Sequence, residues 1–358
     1  MANAVTLIPG DGIGPSVIGA ARRVVDGTGV PISWDVQEVG VPALKQFGEP
    51  LPRSAIDSIR NNGVALKGPV STPIGVKGFR SVNVGLRREL DLFAQVRPCS
   101  THAGSHESAV GIDLVVIRDT TEDLYAGVEL EAQSPGAAEV IESLSRHTGK
   151  LIPADSGLSI KYLSRTACAR IADFAFDYAR RAGRKRVTAV HKASVMRFTD
   201  GLFLEAVAGA GARNPDIEFD DRLVDNLCGQ LAHRGDGYDV LVMPNMYGDI
   251  VSDVAAGLIG GVGLVPGGNY GPAVAMFEPA HGSAPRHAGA DRANPTAAIL
   301  SAAMLLEHIG ERDAAARVVD AVDAVIAEGA VTYDLKRRGD ASAPLGTSEF
   351  ADRVIARL

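Results

Sequence analysis

The sequence predicts an α/β fold in which two domains are built on a mainly parallel sheet. Three observations carry this expectation. Short apolar, strand-like runs alternate with segments of helical periodicity along the chain. The opening stretch, AVTLIPGDGIGPSVIGAARRVV, reads as one complete strand-turn-helix unit. The length of 358 residues, 46% apolar and 22% charged, suffices for two domains sharing a large core and sets aside disordered and fibrous classes.

In the opening unit, Pro15 stands in the first helical turn, where its missing N–H costs nothing. Val17, Ile18, Ala21, Val24 and Val25 supply the apolar face. The turn GDGIGP invites comparison with the dinucleotide fingerprint G-x-G-x-x-G. It fails, because Pro15 or Val17 stands where the last glycine is required. No other window supplies a Rossmann motif, so a nucleotide would be held by loops of another kind, the opening loop first among them. Next, RSVNVGLRRELDLFAQVRP predicts a helix with Leu86, Leu90 and Phe93 packed inward and Asn83 and Arg87, at i and i+4, on another face. Ser81 fits its N-terminus, where a hydroxyl and free N–H groups can bind an anion. Strands at 113–118 (DLVVIR), 186–191 (RVTAVH) and 238–244 (YDVLVMP) alternate with helical patterns at 165–182, 199–209, 296–309 and 313–328. Residues 254–277 carry no charge, but eight glycines and prolines from Gly260 to Pro272 interrupt them, which argues against a membrane-spanning helix.

With 36 basic and 43 acidic residues the net charge is −7, and no Lys/Arg-rich tract stands out. Nucleic-acid and anionic-membrane partners are disfavoured, leaving small-molecule chemistry. Cys99, Cys168 and Cys228 lie far apart without metal-type pairing. The N-terminus has no basic segment and reaches a glycine turn too early for a signal sequence, so a reducing, cytoplasmic location is expected.

Several residues could carry chemistry. NMYGDIVSD sets Asp249 and Asp253 four apart on one helical face, which suits Mg²⁺ or Mn²⁺; first-turn capping is the plainer alternative. Arg87, Arg97 and Arg118 stand near strand or helix ends, and a set of guanidinium forks can hold carboxylates bidentately, although any one alone reads as a surface charge. Tyr125 and Lys192 admit both structural and proton-transfer roles. Asp225 is unremarkable by itself, and spacing leaves His281 open between a loop cap and a ligand contact. Arg286 and His287 sit in the glycine- and proline-rich loop HGSAPRHAG, a cationic spot on an acidic chain that raises the question of which anion it meets.

Taken together, IPGDGIGP, NMYGDIVSD followed by AGLIGGVG, EPAHGSAP and the late TSEF resemble the β-decarboxylating dehydrogenases of isocitrate, isopropylmalate, homoisocitrate and tartrate, over essentially the whole chain. The resemblance implies a doubly wound α/β fold without a Rossmann fingerprint. It implies a discontinuous large domain (1–95 and 260–358), a small domain (96–259) and a dimer-forming segment around 126–164. Asp249 and Asp253 would bind Mg²⁺ or Mn²⁺ together with Asp225 across a homodimer. Arg87, Arg97 and Arg118 would hold substrate carboxylates. Lys192, also from across the dimer, would take the hydroxyl proton, and Tyr125 would protonate the enolate after CO₂ leaves.

Ser81 and Asn83 resemble the isocitrate pattern. Burying them unpaired against an isopropyl group would cost roughly 1–3 kcal/mol per lost hydrogen bond. For the cofactor, Thr72, His281, Gly282, Ala284, Arg286, His287, Asn294, Tyr333 and Arg337 match the binding positions. NAD-using members carry aspartate and isoleucine where Arg286 and His287 stand, and NADP-using ones lysine and tyrosine, so the cationic pair implies NADP. The expectation is therefore an NADP- and metal-dependent isocitrate dehydrogenase. The same chemistry on homoisocitrate, isopropylmalate, tartrate or a tricarboxylate analogue is the alternative. Ser194 in place of the usual asparagine, RDT in place of REN and a longer STPIGVKGF loop motivate it. A non-catalytic regulatory subunit is disfavoured because Tyr125, Lys192, Asp225, Asp249 and Asp253 all stand.

Overall fold

A computed structural model describes residues 2–71, 81–102, 111–233, 237–336, 339 and 342–358. Thr72, Arg337 and nearly all of the STPIGVKGF loop lie outside the described residues. The amino-terminal elements are β1 (Asn3–Ile8), α1 (Gly14–Gly27), β2 (Ile32–Val36), α2 (Val41–Phe47), α3 (Arg53–Asn62), β3 (Val64–Lys67), α4 (Val82–Glu89), β4 (Ala94–Ser100) and β5 (Asp113–Asp119). The middle of the chain forms β6 (Glu129–Leu130), α5 (Pro135–Thr148), β7 (Leu158–Ser159), α6 (Arg165–Arg181), β8 (Arg186–His191), α7 (Asp200–Arg213), β9 (Glu218–Leu223) and α8 (Val224–His233). Then follow β10 (Val240–Met243), α9 (Asn245–Ile259), β11 (Pro266–Tyr270), β12 (Ala275–Pro279), α10 (Thr296–His308), α11 (Arg312–Ala327) and α12 (Thr347–Ile355).

Ten strands make one sheet in the order β2-β1-β3-β12-β11-β4-β5-β10-β8-β9. Two parallel blocks, β2-β1-β3-β12 and β5-β10-β8-β9, run in opposite directions. Strands β11 and β4 join them through antiparallel pairings. Both faces are covered. On β5, Leu114 and Val116 enter one apolar cluster while Val115 and Ile117 enter another, and on β10 Leu241 and Met243 alternate with Val240 and Val242 in the same way. Such strands read as continuous apolar runs because neither face meets water. The expected doubly wound α/β architecture is present. No helix among the described residues is long and apolar enough to cross a membrane.

One predicted helix is shorter than its apolar spacing. Leu86 and Leu90 are buried, but α4 stops at Glu89, Asp91 takes a left-handed φ of 46°, and Phe93 leads into β4. Phe93 packs edge-on against Phe174 at 5.6 Å, on the far side of the sheet from α4. In the opening loop, backbone contacts account for the glycines. Gly12 has φ +61°, and a Cβ there would meet the Ser283 carbonyl at 2.0 Å. Ile13 N–H donates to that same carbonyl at 2.9 Å. The loop braces the HGSAPRHAG segment.

Candidate active site

The junction between the two parallel blocks is where the sheet turns polar. Gln95 pairs with Arg118 on one side and with Asn269 on the other, so these three form one transverse row on a single face. Arg97, two residues along β4, shares that face. Helix α4 walls it on the β12 side and α9 on the β5 side. Charged groups survive here because each finds a partner.

On the α4 wall, Arg87 donates to Asn269 Oδ1 at 3.2 Å and lies 3.5 Å from Glu278. Glu278 forms an ion pair at 2.6 Å with Lys67, which is fully buried at the end of β3. Burial alone would raise the Glu278 carboxyl, but Lys67 and Arg87 outweigh it and bring the group down to about 2. On the α9 wall, Arg118 donates to Asn245 Oδ1 at 2.9 Å and pairs with Asp249. Arg97 donates to Ser252 at 2.6 Å and stands 3.5 Å from Asp253 and 4.0 Å from Asp249. Gly248 makes this approach possible, since a Cβ there would meet Arg118 Cβ and Cγ at 2.5 Å.

Asp249 and Asp253 lie beyond the first turn of α9, which has no acidic residue, so first-turn capping does not explain them. The Tyr125 hydroxyl donates to Asp249 Oδ2 at 2.6 Å, and Arg118 stacks 5.0 Å from the Tyr125 ring centre. Burial raises Tyr125 and the neighbouring carboxylate raises it further, so the phenol is a protonated acid at neutral pH. Burial opposes ionisation of Asp249, yet Arg118, Tyr125 and Arg97 together hold it below the usual carboxylate range. Burial lowers Arg118 to about 10, which leaves it cationic. Two carboxylates on one helix face are hard oxygen donors that fit Mg²⁺ or Mn²⁺. No group of three His, Cys, Asp or Glu side chains able to hold a metal occurs among the described residues.

Lys192 and Asp225 sit apart from this cluster. Lys192 Nζ pairs with Asp225, and its backbone N–H donates to Asp200 Oδ2 at 2.7 Å. The hydrogen bond from Lys192 holds Asp225 below the usual carboxylate range. Among the described residues, no hydrogen bond or ion pair joins this pair to Asp249 or Asp253. The Lys192 loop exposes Val195 and Phe198, the latter 93% accessible.

In the HGSAPRHAG loop, Arg286 and His287 lie on a short turn after Ala284, whose φ is +35°. Arg286 is exposed and forms no ion pair or hydrogen bond among the described residues. The His287 and Tyr333 rings are 6.1 Å apart, and the Arg292 guanidinium lies 4.1 Å from the Tyr333 ring centre. Asn294 ties its neighbours together, donating to Asp334 at 3.0 Å and accepting from Thr296 N–H at 3.0 Å. Gly282 lines the cavity described next, beside His281. His281 Nδ1–H donates to the Gly282 carbonyl at 3.0 Å, and burial lowers the imidazole, leaving it neutral with Nε2 as an acceptor.

Among the buried polar atoms of the described residues that have no hydrogen-bond partner are Asn83 Oδ1, Arg97 Nε and His281 Nε2. All three residues line one cavity of about 130 Å³, with Arg87, Gln95 and Glu278. Ser81 caps α4 without a side-chain hydrogen bond to the helix. Arg87 also lines a cavity of about 670 Å³ that runs past Tyr125, Thr120, Thr121 and Asn245. The site thus offers fixed cations, a phenol acid, a carboxylate pair and orphaned donors and acceptors around open volume.

The sequence model of the isocitrate/isopropylmalate dehydrogenase family matches residues 4–354. The chain belongs to this family. Family members carry out oxidative decarboxylation with a nicotinamide cofactor and a divalent metal. The crystal structure of isocitrate dehydrogenase from Methylococcus capsulatus is similar, at a TM-score of 0.89 and 46% identity over 100% of this chain and 99% of that one. A probable NAD isocitrate dehydrogenase alpha subunit of Drosophila melanogaster, mitochondrial, is 42% identical over 99% of this chain and 87% of its own length. An NADP isocitrate dehydrogenase of Archaeoglobus fulgidus is 40% identical over 98% and 91%.

Several members of the site escaped the sequence reading: Lys67, Gln95, Asn245, Ser252, Asn269, Glu278 and Arg292. A signal existed for two of them. Lys67 closes the apolar run VALK, and Glu278 interrupts AMFEPA. A charge inside an apolar strand is stable only with a buried partner, so each pointed to the other.

Proposed function

We propose that this decarboxylating dehydrogenase converts isocitrate to 2-oxoglutarate with NADP and Mg²⁺ or Mn²⁺, as a homodimer whose chains complete each other's sites. The observation that carries the reading is the placement of Arg87, Arg97 and Arg118 on one polar face beside the Tyr125–Asp249 pair. Three guanidinium groups answer the three carboxylates of isocitrate. Asn83, with its free acceptor, and Ser81 keep the α4 wall polar, which disfavours an apolar substituent.

Asp249 and Asp253 would hold the divalent cation. When bound, that cation polarises the substrate oxygen and stabilises developing enolate charge, while the nicotinamide accepts the hydride. The chain's own part is binding and proton movement. The arginines fix the carboxylates, the partner subunit's Lys192 accepts the hydroxyl proton, and the Tyr125 phenol delivers a proton to carbon after CO₂ departs. The separation of Lys192 and Asp225 from the Asp249 cluster supports a shared site. So do exposed Val195 and Phe198 on the Lys192 loop and the lightly buried β6-α5-β7 segment, because a two-stranded sheet is marginal alone. For NADP, the supports are the unpaired Arg286 and the Arg292, His287 and Tyr333 cluster, which suit a dianionic phosphate. A reducing location such as the cytoplasm belongs to the same proposal, supported by three free cysteines.

The cavity of about 670 Å³ favours one second reading, a longer hydroxy acid such as homoisocitrate reaching toward Arg88. A steady-state panel of isocitrate, homoisocitrate, isopropylmalate and tartrate, each with NAD and NADP, separates the two. Highest kcat/KM for isocitrate with NADP is expected. Turnover confined to another acid overturns the substrate, and equal kcat/KM with both cofactors overturns the cofactor.

A further inference from the structure

Behind the site lies a second cluster of charges that the reaction does not use directly. Lys161 sits in the short stretch before α6, its side chain only 11% exposed. Its ammonium is 2.6 Å from Asp200 Oδ1 and 3.6 Å from Asp123 Oδ1, and both carboxylates are fully buried. The same ammonium lies 4.7 Å from the Tyr247 ring centre. The three partners of Lys161 come from three separate parts of the chain. Asp123 stands two residues before Tyr125, Asp200 opens α7 beneath the Lys192 loop, and Tyr247 is in the first turn of α9.

Each carboxylate has one oxygen in ion-pair contact with Lys161, without a hydrogen bond to it, and the other accepts from backbone that matters to the site. Asp200 Oδ2 accepts the Lys192 N–H at 2.7 Å, and Asp123 Oδ2 accepts the Met246 N–H of α9 at 2.9 Å. The segment beside Lys161 clips the same turn again, since Asp123 N–H donates to the Tyr162 carbonyl at 3.1 Å and Ser164 N–H to Glu122 Oε2 at 2.6 Å. The turn is held in a costly shape: Asp123 has φ 71° and ψ −167°, a region that belongs almost wholly to glycine. Such backbone persists only where surrounding contacts over-determine it.

We propose that Lys161 is a positioning residue that ties the Tyr125 turn, through Asp123, to the Lys192 loop, through Asp200. Without its charge, two buried carboxylates lose their common cation, the Asp123 turn relaxes, and the phenol and the amine leave the places from which protons move. Since Lys192 would serve the partner's site, one buried cation then sets a group in each of two neighbouring sites, an inference that rests on the proposed function for those two roles.

The test uses the full-length protein as Lys161→Met and Lys161→Arg variants, with folding checked by circular dichroism. The expected outcome is a kcat about 10- to 100-fold lower for Lys161→Met, with KM for the hydroxy acid within about threefold of wild type. Lys161→Arg recovers most of that loss. An activity-independent readout comes from protein labelled with 3-fluorotyrosine, in which the Tyr125 ¹⁹F resonance is identified by its loss in Tyr125→Phe. That resonance shifts in Lys161→Met and returns toward its original position in Lys161→Arg. An unchanged kcat with an unmoved resonance, or equal losses for Met and Arg, overturns the proposal. If Lys161→Met fails to fold, Asp200→Asn decides, because it keeps an acceptor for the Lys192 N–H. It should lower kcat at constant KM, and an unchanged kcat overturns the tie. A shifted resonance in a protein whose wild type turns over no hydroxy acid would sink the functional reading and leave the tie standing.

Discussion

Glu278 shows how single residues hold the site. Its carboxylate is buried between Lys67 and Arg87, and with Asn269 it fixes the guanidinium that lines the cavity beside Asn83. Its folded pKa of about 2 lies below the ordinary 4.5, so its stabilisation is complete above pH 4.5 and lost as the pH falls toward 2. Glu278→Gln should therefore lower stability at pH 7 and flatten the acid limb of the unfolding profile between those values. Equal acid sensitivity in the variant, read by denaturant titration at several pH values, would contradict the assignment. In Arg286→Asp, a charge-assisted contact of about 1.5–3 kcal/mol is lost, and kcat/KM for NADP should drop about 10- to 100-fold relative to NAD. Asp249→Asn should reduce metal-dependent turnover about 100-fold or more, with KM for Mg²⁺ raised. The carboxylate pair was legible from its spacing and the three arginines as a set, whereas Tyr125 stood out only through the family resemblance. Lys67, Glu278 and Asn269 were not read, because their meaning lies in pairings between strands far apart in sequence.

At the scale of elements, the site depends on how closely α9 lies against β5. Gly248 sets that distance, with a Cβ position 2.5 Å from the Arg118 stem. Gly248→Ala should destabilise the protein by about 1–3 kcal/mol and raise KM for the hydroxy acid, because Arg118 must shift. A variant with wild-type Tm and KM would show that the helix has room to spare. Most element positions were readable from periodicity: the 186–191 strand matches β8 at both ends, and the buried face of α1 is the one its spacing gives. The end of α4 was not, because Leu86, Leu90 and Phe93 keep helical spacing across a break at Asp91. Periodicity registers burial, and here two of the three residues face the α4 cluster while Phe93 packs in another.

For the whole molecule, the polar floor arises where two parallel blocks of opposite direction meet through β11 and β4. Alternating strands and helices announced the blocks, but strand order and the antiparallel junction are set by long-range pairing that local pattern does not encode. Sharing of sites between chains belongs to this scale as well. Mixing inactive Tyr125→Phe with inactive Lys192→Met chains after subunit exchange should restore about a quarter of wild-type activity, since half the dimers then carry one intact site. No recovery would place both groups in a single chain's site. The proposed reaction is oxidative decarboxylation of isocitrate with NADP at the Arg87, Arg97, Arg118 and Tyr125 cluster. Its most direct test is a product balance on purified protein with isocitrate, NADP and Mn²⁺. Equal amounts of NADPH, CO₂ and 2-oxoglutarate are expected, with all three abolished by a chelator; NADPH formed without CO₂, or turnover that survives the chelator, would rule that reaction out.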